Sequence, residues 1–451
     1  MPQEERPVQS KHPTPTSTLM GQATRRSIMK RAAAFGLAAP LVGLATKGTV
    51  AARQATPAAD LSGELEIFSW WTSPGEAPAL EALFTAYNEL HPNVEIVNAA
   101  VAGGGGGAAQ AVLQTRLQGT NPPDSWQTHV GRELIDQYVT AGFCEPITDL
   151  YESEGWNDVM PADLIAQATE DGEQYSIPVG VHRGNGVWYS RQVMGENGVT
   201  VGETMTIDDF FAAADILKAA GIPALAMGTK DSFVAAQTFE NTLLGVVGPE
   251  AYNQLFAGEM SWDDQGVKDA MATFARMLDY VNPDHPALTW DGATAMVIEN
   301  KAGFNSMGDW AYGEVVAKEA VEGIGWVSHP GSQGSFVLVV DSFTLPAGAP
   351  NPDNARAWLQ LLGTREAQEA FNPLKGSIPA RTDVDQSIFS PYHQWSIASF
   401  AADSLVPSCA HGQAASPQFK QAFYDAAASF IVDKDVDTFS LTLVDAAESA
   451  A

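Results

Sequence analysis

The chain has 451 residues, 45% of them hydrophobic, with 54 Asp and Glu against 24 Lys and Arg and a formal net charge of -30. That length points to two domains rather than one small core. So acidic a surface repels phosphate backbones and anionic membrane faces, which argues against nucleic acid as a partner and for a well-solvated chain.

The first 59 residues invert this balance, with eight basic residues against Glu4 and Glu5. The remainder holds 16 basic and 52 acidic residues, a net of about -36. TRRSIMKRAAAFGLAAPLVGLA sets Arg25 and Arg26, then Lys30 and Arg31, ahead of a short run rich in Ala and Gly. This is the layout of a twin-arginine export signal, the route taken by folded proteins, and the run is short for a permanent span. Small residues offer cleavage between Val50 and Ala55, and no cysteine there offers a lipid anchor. Residues 1–59 are therefore read as signal and linker, and the folded part as exported.

The elements follow in chain order. In LEIFSWWTSPGE, a strand ends on Trp70 and Trp71 and runs into a Pro-Gly turn. Side chains on a strand alternate faces, so one of the two rings is expected to face something other than core. PALEALFTAYNELHP carries Leu80, Leu83, Phe84 and Tyr87 at helical spacing and stops at His91-Pro92; VEIV is a strand. Together they predict a parallel β-α-β unit with Glu76 in the loop at the carboxyl end of the first strand, where open α/β sheets bind ligands. Gly103 to Gly107 lack the Gly-Lys-Ser/Thr of a phosphate loop and read as a flexible turn before the helix AAQAVLQTRLQG. Asp124 to Val130 is a short strand holding Gln127 and His129. YSIPVGVHRGNGVWYSRQVM reads as one unusually long strand, TIDDFFAAADILKAAG as a helix capped by Thr206 and stopped at Gly221. A mostly helical region continues to about residue 285. SFVLVVDSFTLPAG predicts a strand pair, NPDNARAWLQLLGTREAQEAFNPLKGSIPAR a helix and loop, and the stretch from Ser416 is helical. Cys144 and Cys409 are the only cysteines; they could form one disulfide or be two buried small apolar residues.

The chain has no HExxH, GxSxG or CxxC, and its eight histidines are scattered, so neither a metal site nor a nucleophilic triad is indicated. Glu76 and Asp341 could in principle serve glycoside hydrolysis. Carboxylates that only accept hydrogen bonds from ligand hydroxyls would read the same way. Eleven Trp follow the signal, several beside polar residues: Trp70-Trp71 near Glu76, Trp290 beside Asp291, Trp310 after Asp309. A sugar has flat C-H faces that lie on tryptophan and hydroxyl edges that need donors and acceptors together.

Those residues carry a resemblance. The segments LEIFSWW, PPDSWQTHVG, YSIPVGVHRGNGVWY, KAGFNSMGDWAYGE, VVDSFTLPAGAPN and AFNPLKGSIPAR extend in order over nearly the whole exported chain. They resemble the extracellular solute-binding proteins of ABC-type sugar importers, above all the bacterial glucose/mannose-binding subgroup. The resemblance implies an α/β protein of two lobes, with a hinge of about three crossing segments: Ser176 to Tyr189, Phe336 to Phe343 and Asn372 to Pro379. The N-lobe would hold residues 64–180 with 341–373, and the C-lobe 181–340 with 374–451. It implies Trp70 or Trp71, Trp290 and Trp310 as aromatic walls, and Glu76, Gln127, His129, Asp341, Lys375 and His411 as hydrogen-bonding groups. His182 and Asp309 complete the candidate set. The chain departs from the pattern in a Trp71–Glu76 loop one residue longer, and in Cys409 shortly before His411 where an aliphatic residue is expected. The implied function is capture of a monosaccharide, glucose or a close epimer, by a monomer that uses no cofactor or metal and hands the sugar to separate permease chains. A secreted glycoside-active enzyme and a receptor for an oligosaccharide or polyol remain the alternatives.

Overall fold

The computed structural model describes residues 60–450. The proposed export signal lies outside the described residues. The chain builds β1 (Gly63–Phe68), β2 (Val94–Asn98), β3 (Ser125–His129), β4 (Cys144–Glu145) and β5 (Ser176–Arg183). It continues through β6 (Gly186–Ser190), β7 (Leu225–Ala226), β8 (Phe304–Ser306) and β9 (Ile324–Ser328), then β10 (Ser335–Pro346) and β11 (Ser404–Pro407). One sheet runs β11-β10-β3-β1-β2, with β4 and β5 also paired to β10; a second runs β9-β6-β8-β7.

Eight helices bear on the site: α1 (Ala77–Leu90), α2 (Gly107–Gln118), α3 (Phe233–Phe256), α4 (Trp290–Ile298), α5 (Trp310–Ala317), α6 (Arg365–Lys375), α7 (Pro391–Ala402) and α8 (Pro417–Asp433). The β1-α1-β2 unit is parallel, with Leu65 opposite Ile96. Leu80, Leu83, Phe84 and Tyr87 are the buried stripe of α1, at the spacing that places them on one helical face.

Two hydrophobic cores form. The first gathers Leu65, Ile67, Trp71, Leu83, Trp126, Val179, Phe343, Trp358 and Phe371, and reaches Ile378 and Ala380. The second gathers Trp188, Phe211, Phe239, Phe274, Trp290, Phe304, Trp310 and Phe430. β10 serves both: Phe336, Leu338 and Val340 lie in the first core, Val337 and Val339 in the second. Alternation along a strand lets one segment face two lobes.

Several sequence expectations differ from the structure. The long strand breaks into β5 and β6 at Gly184-Asn185, where a Cβ on Gly184 would lie 2.9 Å from Val337 Cγ1. Its end, Arg191–Glu196, is a helix capped by the Ser190 hydroxyl. The expected strand pair is the single, fully buried β10. A strand buried on both faces reads as a continuous apolar run, which hides its length. The segment from Asn351 holds two helices, Pro352–Leu362 and α6, not one. The stretch Asn372 to Pro379 stays with the first core; the chain joins the second at Tyr392 in α7. Thr206 closes a full capping box with Asp209, as its sequence predicts. Both cysteines are free and buried, Cys144 in the first core and Cys409 in the second.

Candidate ligand site

β1 ends beside the start of β3, Phe68 opposite Trp126, and both chains run on past that point, β1 into Trp70 and Trp71 and β3 to His129, to reach one cavity. That cavity has a volume of about 290 Å³. On the near wall the chain leaves β1 through Trp70 and Trp71. The Trp70 backbone N–H donates to Gln127 Oε1 at 3.2 Å, and the indole ring tilts over His129 at 5.2 Å. Trp71 packs against Phe343 and Phe371 in the first core, at 5.6 and 4.9 Å. Both rings border the cavity, so Trp71 serves core and cavity together.

The glycine run forms the rim. Gly105 and Gly106 have φ of 64° and 79°, a conformation that favours glycine. A Cβ on Gly105 would meet the Phe233 ring at 2.9 Å, and one on Gly106 the Trp70 ring at 3.0 Å. Here the glycines allow backbone to lie directly on two aromatic rings. The far wall comes from the second core: Phe233 at the start of α3, Trp290 and Asp291 at the start of α4, Trp310 at the start of α5, and His411. The Trp290 backbone N–H donates to Asp231 Oδ2 at 2.8 Å.

The floor is a polar network set by sheet register. On β10, Asp341 lies opposite His129 of β3; Val339, two residues along, lies opposite His182 of β5. Opposite and diagonal residues share a sheet face, so one carboxylate sits between two imidazoles. Asp341 Oδ2 meets His182 Nε2 at 3.0 Å, and Oδ1 accepts from Gln127 Nε2 at 3.0 Å. His182 Nδ1 bonds Asp309, which also accepts from the Arg183 N–H at 3.0 Å and the Tyr392 hydroxyl at 3.1 Å. Burial pushes the Asp341 carboxyl up, but the His182 hydrogen bond and the nearby charges of His182 and Lys375 hold it well below the usual carboxylate range. Burial and Lys375 push His182 down, yet Asp309 and Asp341 raise it on balance. Burial leads in holding His411 well below the usual histidine range, so that ring is neutral.

Lys375 ends α6, and its ammonium meets Glu76 Oε1 at 3.1 Å and lies 5.6 Å from the Trp71 ring centre. Gly376 caps α6 with φ of 93°, and a Cβ there would lie 2.1 Å from the Asp309 carbonyl oxygen. This close approach docks α6 on α5. The lobes also meet where the Gly75 N–H donates to Glu314 Oε1 at 2.8 Å.

Of the sequence candidates, Trp70, Trp71, Glu76, His129, His182, Trp290, Trp310, Asp341, Lys375 and His411 converge on the cavity. Gln127 and Asp309 stand behind it and hold Asp341, Trp70 and His182 in place. Sequence reasoning did not find Asp231, Phe233 or Ser73 in the wall. Phe233 lacks a local signal, since it reads as an ordinary helix start. The glycine run did carry a signal for close approach, taken only as a turn.

Among the described residues no group of His, Cys, Asp and Glu could hold a metal ion, and no helix is long and apolar enough to cross a membrane. Comparison with known proteins gives the family. Residues 71–369 match the model of the bacterial extracellular solute-binding proteins. An uncharacterised ABC transporter extracellular-binding protein of Pyrococcus horikoshii is 36% identical over 385 residues, covering 85% of this chain and 87% of that one. A "probable sugar-binding periplasmic protein" of Mesorhizobium japonicum is 34% identical, covering 83% and 90%. Two solved structures share the fold. The bacterial solute receptor AcbH, described with an exclusive preference for β-D-galactopyranose, has a TM-score of 0.76 at 19% identity, covering 86% of this chain and 99% of that one. A chitin oligosaccharide binding protein has a TM-score of 0.75 at 18% identity, covering 86% and 99%. The chain thus belongs to the bacterial extracellular solute-binding protein family, the two-lobe receptors that serve ABC-type sugar importers, and it is a binding protein rather than an enzyme.

Proposed function

We propose that this protein, acting as an exported monomer, captures a neutral monosaccharide, glucose or a close epimer, between its lobes and presents it to a membrane permease. The observation that carries this reading is the wall of the cavity: Trp70, Trp290 and Trp310 stand around a floor of Asp341, His129, His182, Lys375 and Glu76. Flat rings take the C-H faces of a sugar, and the polar floor takes its hydroxyls, which cost ~1–3 kcal/mol each if buried unpaired. Four carboxylates and one lysine line the described wall, so an anionic sugar would be repelled. The volume of about 290 Å³ lies at the small end of ligand cavities, which favours a short sugar over a long chain. The relative named for sugar binding supports a sugar as the ligand class.

The lobes are assigned as residues 64–180 with 341–373, extended to Ala380 by its place in the first core, and residues 181–340 with the C-terminal remainder. Closure about the crossings would bury the sugar and change the surface that the permease meets. The test is a thermal-shift screen of the purified protein against mono- and disaccharides. A ligand bound only by the folded state adds ~2.7 kcal/mol at 100 times its dissociation constant. A raised midpoint with glucose or its epimers alone supports the proposal. A shift only with longer sugars replaces the monosaccharide by an oligosaccharide, and no shift with any sugar refutes the site.

A further inference from the structure

We infer that Glu133, which stands outside the cavity wall, is a positioning residue that keeps His129 a hydrogen-bond acceptor, so that His129 and Asp341 together demand two adjacent hydroxyl donors on the ligand. The inference rests on the cavity being the sugar site. Glu133 is only 1% exposed. Its Oε1 accepts from the His129 backbone N–H at 3.1 Å and the Thr128 hydroxyl at 3.2 Å. Its Oε2 lies 3.2 Å from His129 Nδ1 and 2.9 Å from Lys420 Nζ. Gly412 makes room for this carboxylate: its φ is 75°, and a Cβ there would lie 2.8 Å from Oε2.

A carboxylate clamped by an ammonium is an acceptor only, so Nδ1 is the ring nitrogen of His129 that must carry a proton toward it. Burial pushes the Glu133 carboxyl up, but the Lys420 ammonium, helped by the hydrogen bonds from the His129 ring and backbone N–H, holds it well below the usual range, which keeps it ionised. Nε2 is left with a bare lone pair. It lies 3.7 Å from Asp341 Oδ1, beyond a hydrogen bond, as two acceptors should. An imidazolium would instead donate to Asp341 and close that gap. Both His129 and Asp341 reach the cavity. Asp341 Oδ1, which accepts from Gln127 Nε2, keeps a further lone pair. Neighbouring hydroxyls of a sugar ring are spaced to donate one to each; a ligand offering acceptors there is turned away.

The test is nitrogen NMR of the full chain labelled at histidine, with the His129 signals assigned by their loss in His129→Gln. At neutral pH the expected spectrum shows His129 protonated at Nδ1 alone; a proton on Nε2 overturns the inference. In the double variant Glu133→Gln with Lys420→Met, which removes the ion pair without changing net charge, the amide oxygen stays on the His129 N–H and the amide NH2 faces Nδ1. The ring proton is then expected on Nε2. D-glucose and D-galactose are the probes. Whichever binds the wild type should bind the double variant roughly five- to a hundredfold more weakly, because the hydroxyl must then accept from Nε2–H and its own proton loses its buried acceptor. The monodeoxy sugar lacking the matching hydroxyl should lose much less between the two proteins. A flipped ring with unchanged affinity refutes the inference. If neither sugar binds the wild type, the sugar reading fails while the ring proton still decides the role of Glu133. If the double variant does not fold, the wild-type spectrum decides it alone.

Discussion

At the scale of single residues, the buried imidazoles are sorted by their partners. His182 lies between two carboxylates and is raised. His329, away from the cavity, meets only hydroxyls, Ser306 at 2.9 Å and Thr242 at 3.3 Å, and burial holds its pKa down at about 3 against a usual 6.5. Between those values the unfolded chain binds a proton that the folded protein does not. Stability from this residue is therefore full above pH 6.5 and is lost as pH falls toward 3, at about 1.4 kcal/mol per unit. Urea midpoints taken at pH 7, 6, 5 and 4 should fall less steeply in His329→Gln than in the wild type. Equal slopes would show that His329 is not the group responsible.

At the scale of elements, a loop glycine and a helix cap predict opposite outcomes. Gly376 lets the end of α6 rest on the start of α5, which brings Lys375 and Trp310 to the same cavity. Gly376→Ala would strain a φ of 93° and drive a Cβ into the Asp309 carbonyl. It is expected to cost roughly 1–3 kcal/mol of stability, read by urea denaturation, and to weaken sugar binding as well. Thr206→Ala removes the capping box of Ile207–Ala219, far from the cavity wall. It should cost about 1 kcal/mol and leave sugar affinity unchanged. The helix and its cap were legible from sequence because every signal is local. The lengths of β5, β6 and β10 were not, since a strand buried on both faces shows no alternation and only its partners end it.

At the scale of the whole molecule, two cores share one chain, and that decides the cysteines. Cys144 and Cys409 are in different cores, and burial pushes the Cys144 thiol up to about 12. Reductant should leave the melting temperature unchanged, and a thiol reagent should react with both only after denaturation. A drop in melting temperature on reduction would contradict the free thiols. The lobes are tied by buried pairs such as Lys420 with Glu133 and the Gly75 N–H with Glu314. Removing one partner of such a pair strands the other, so the cleft and the stability of its floor are not independent.

The sequence by itself determined the β-α-β start, the capped helices, the strand-end tryptophans and the family, because these are written in short-range pattern and motif. It also named ten of the residues that meet in the cavity, through the resemblance of their motifs and not through their spacing. Only the tertiary structure decided which of them touch the cavity and which stand behind it. Gln127 and His129 are two residues apart on one strand, yet one braces Asp341 and the other faces the gap. Glu133 and Phe233 stayed hidden for the same reason. Their roles come from Lys420, 287 residues along the chain, and from a glycine loop that only folding lays against an aromatic ring.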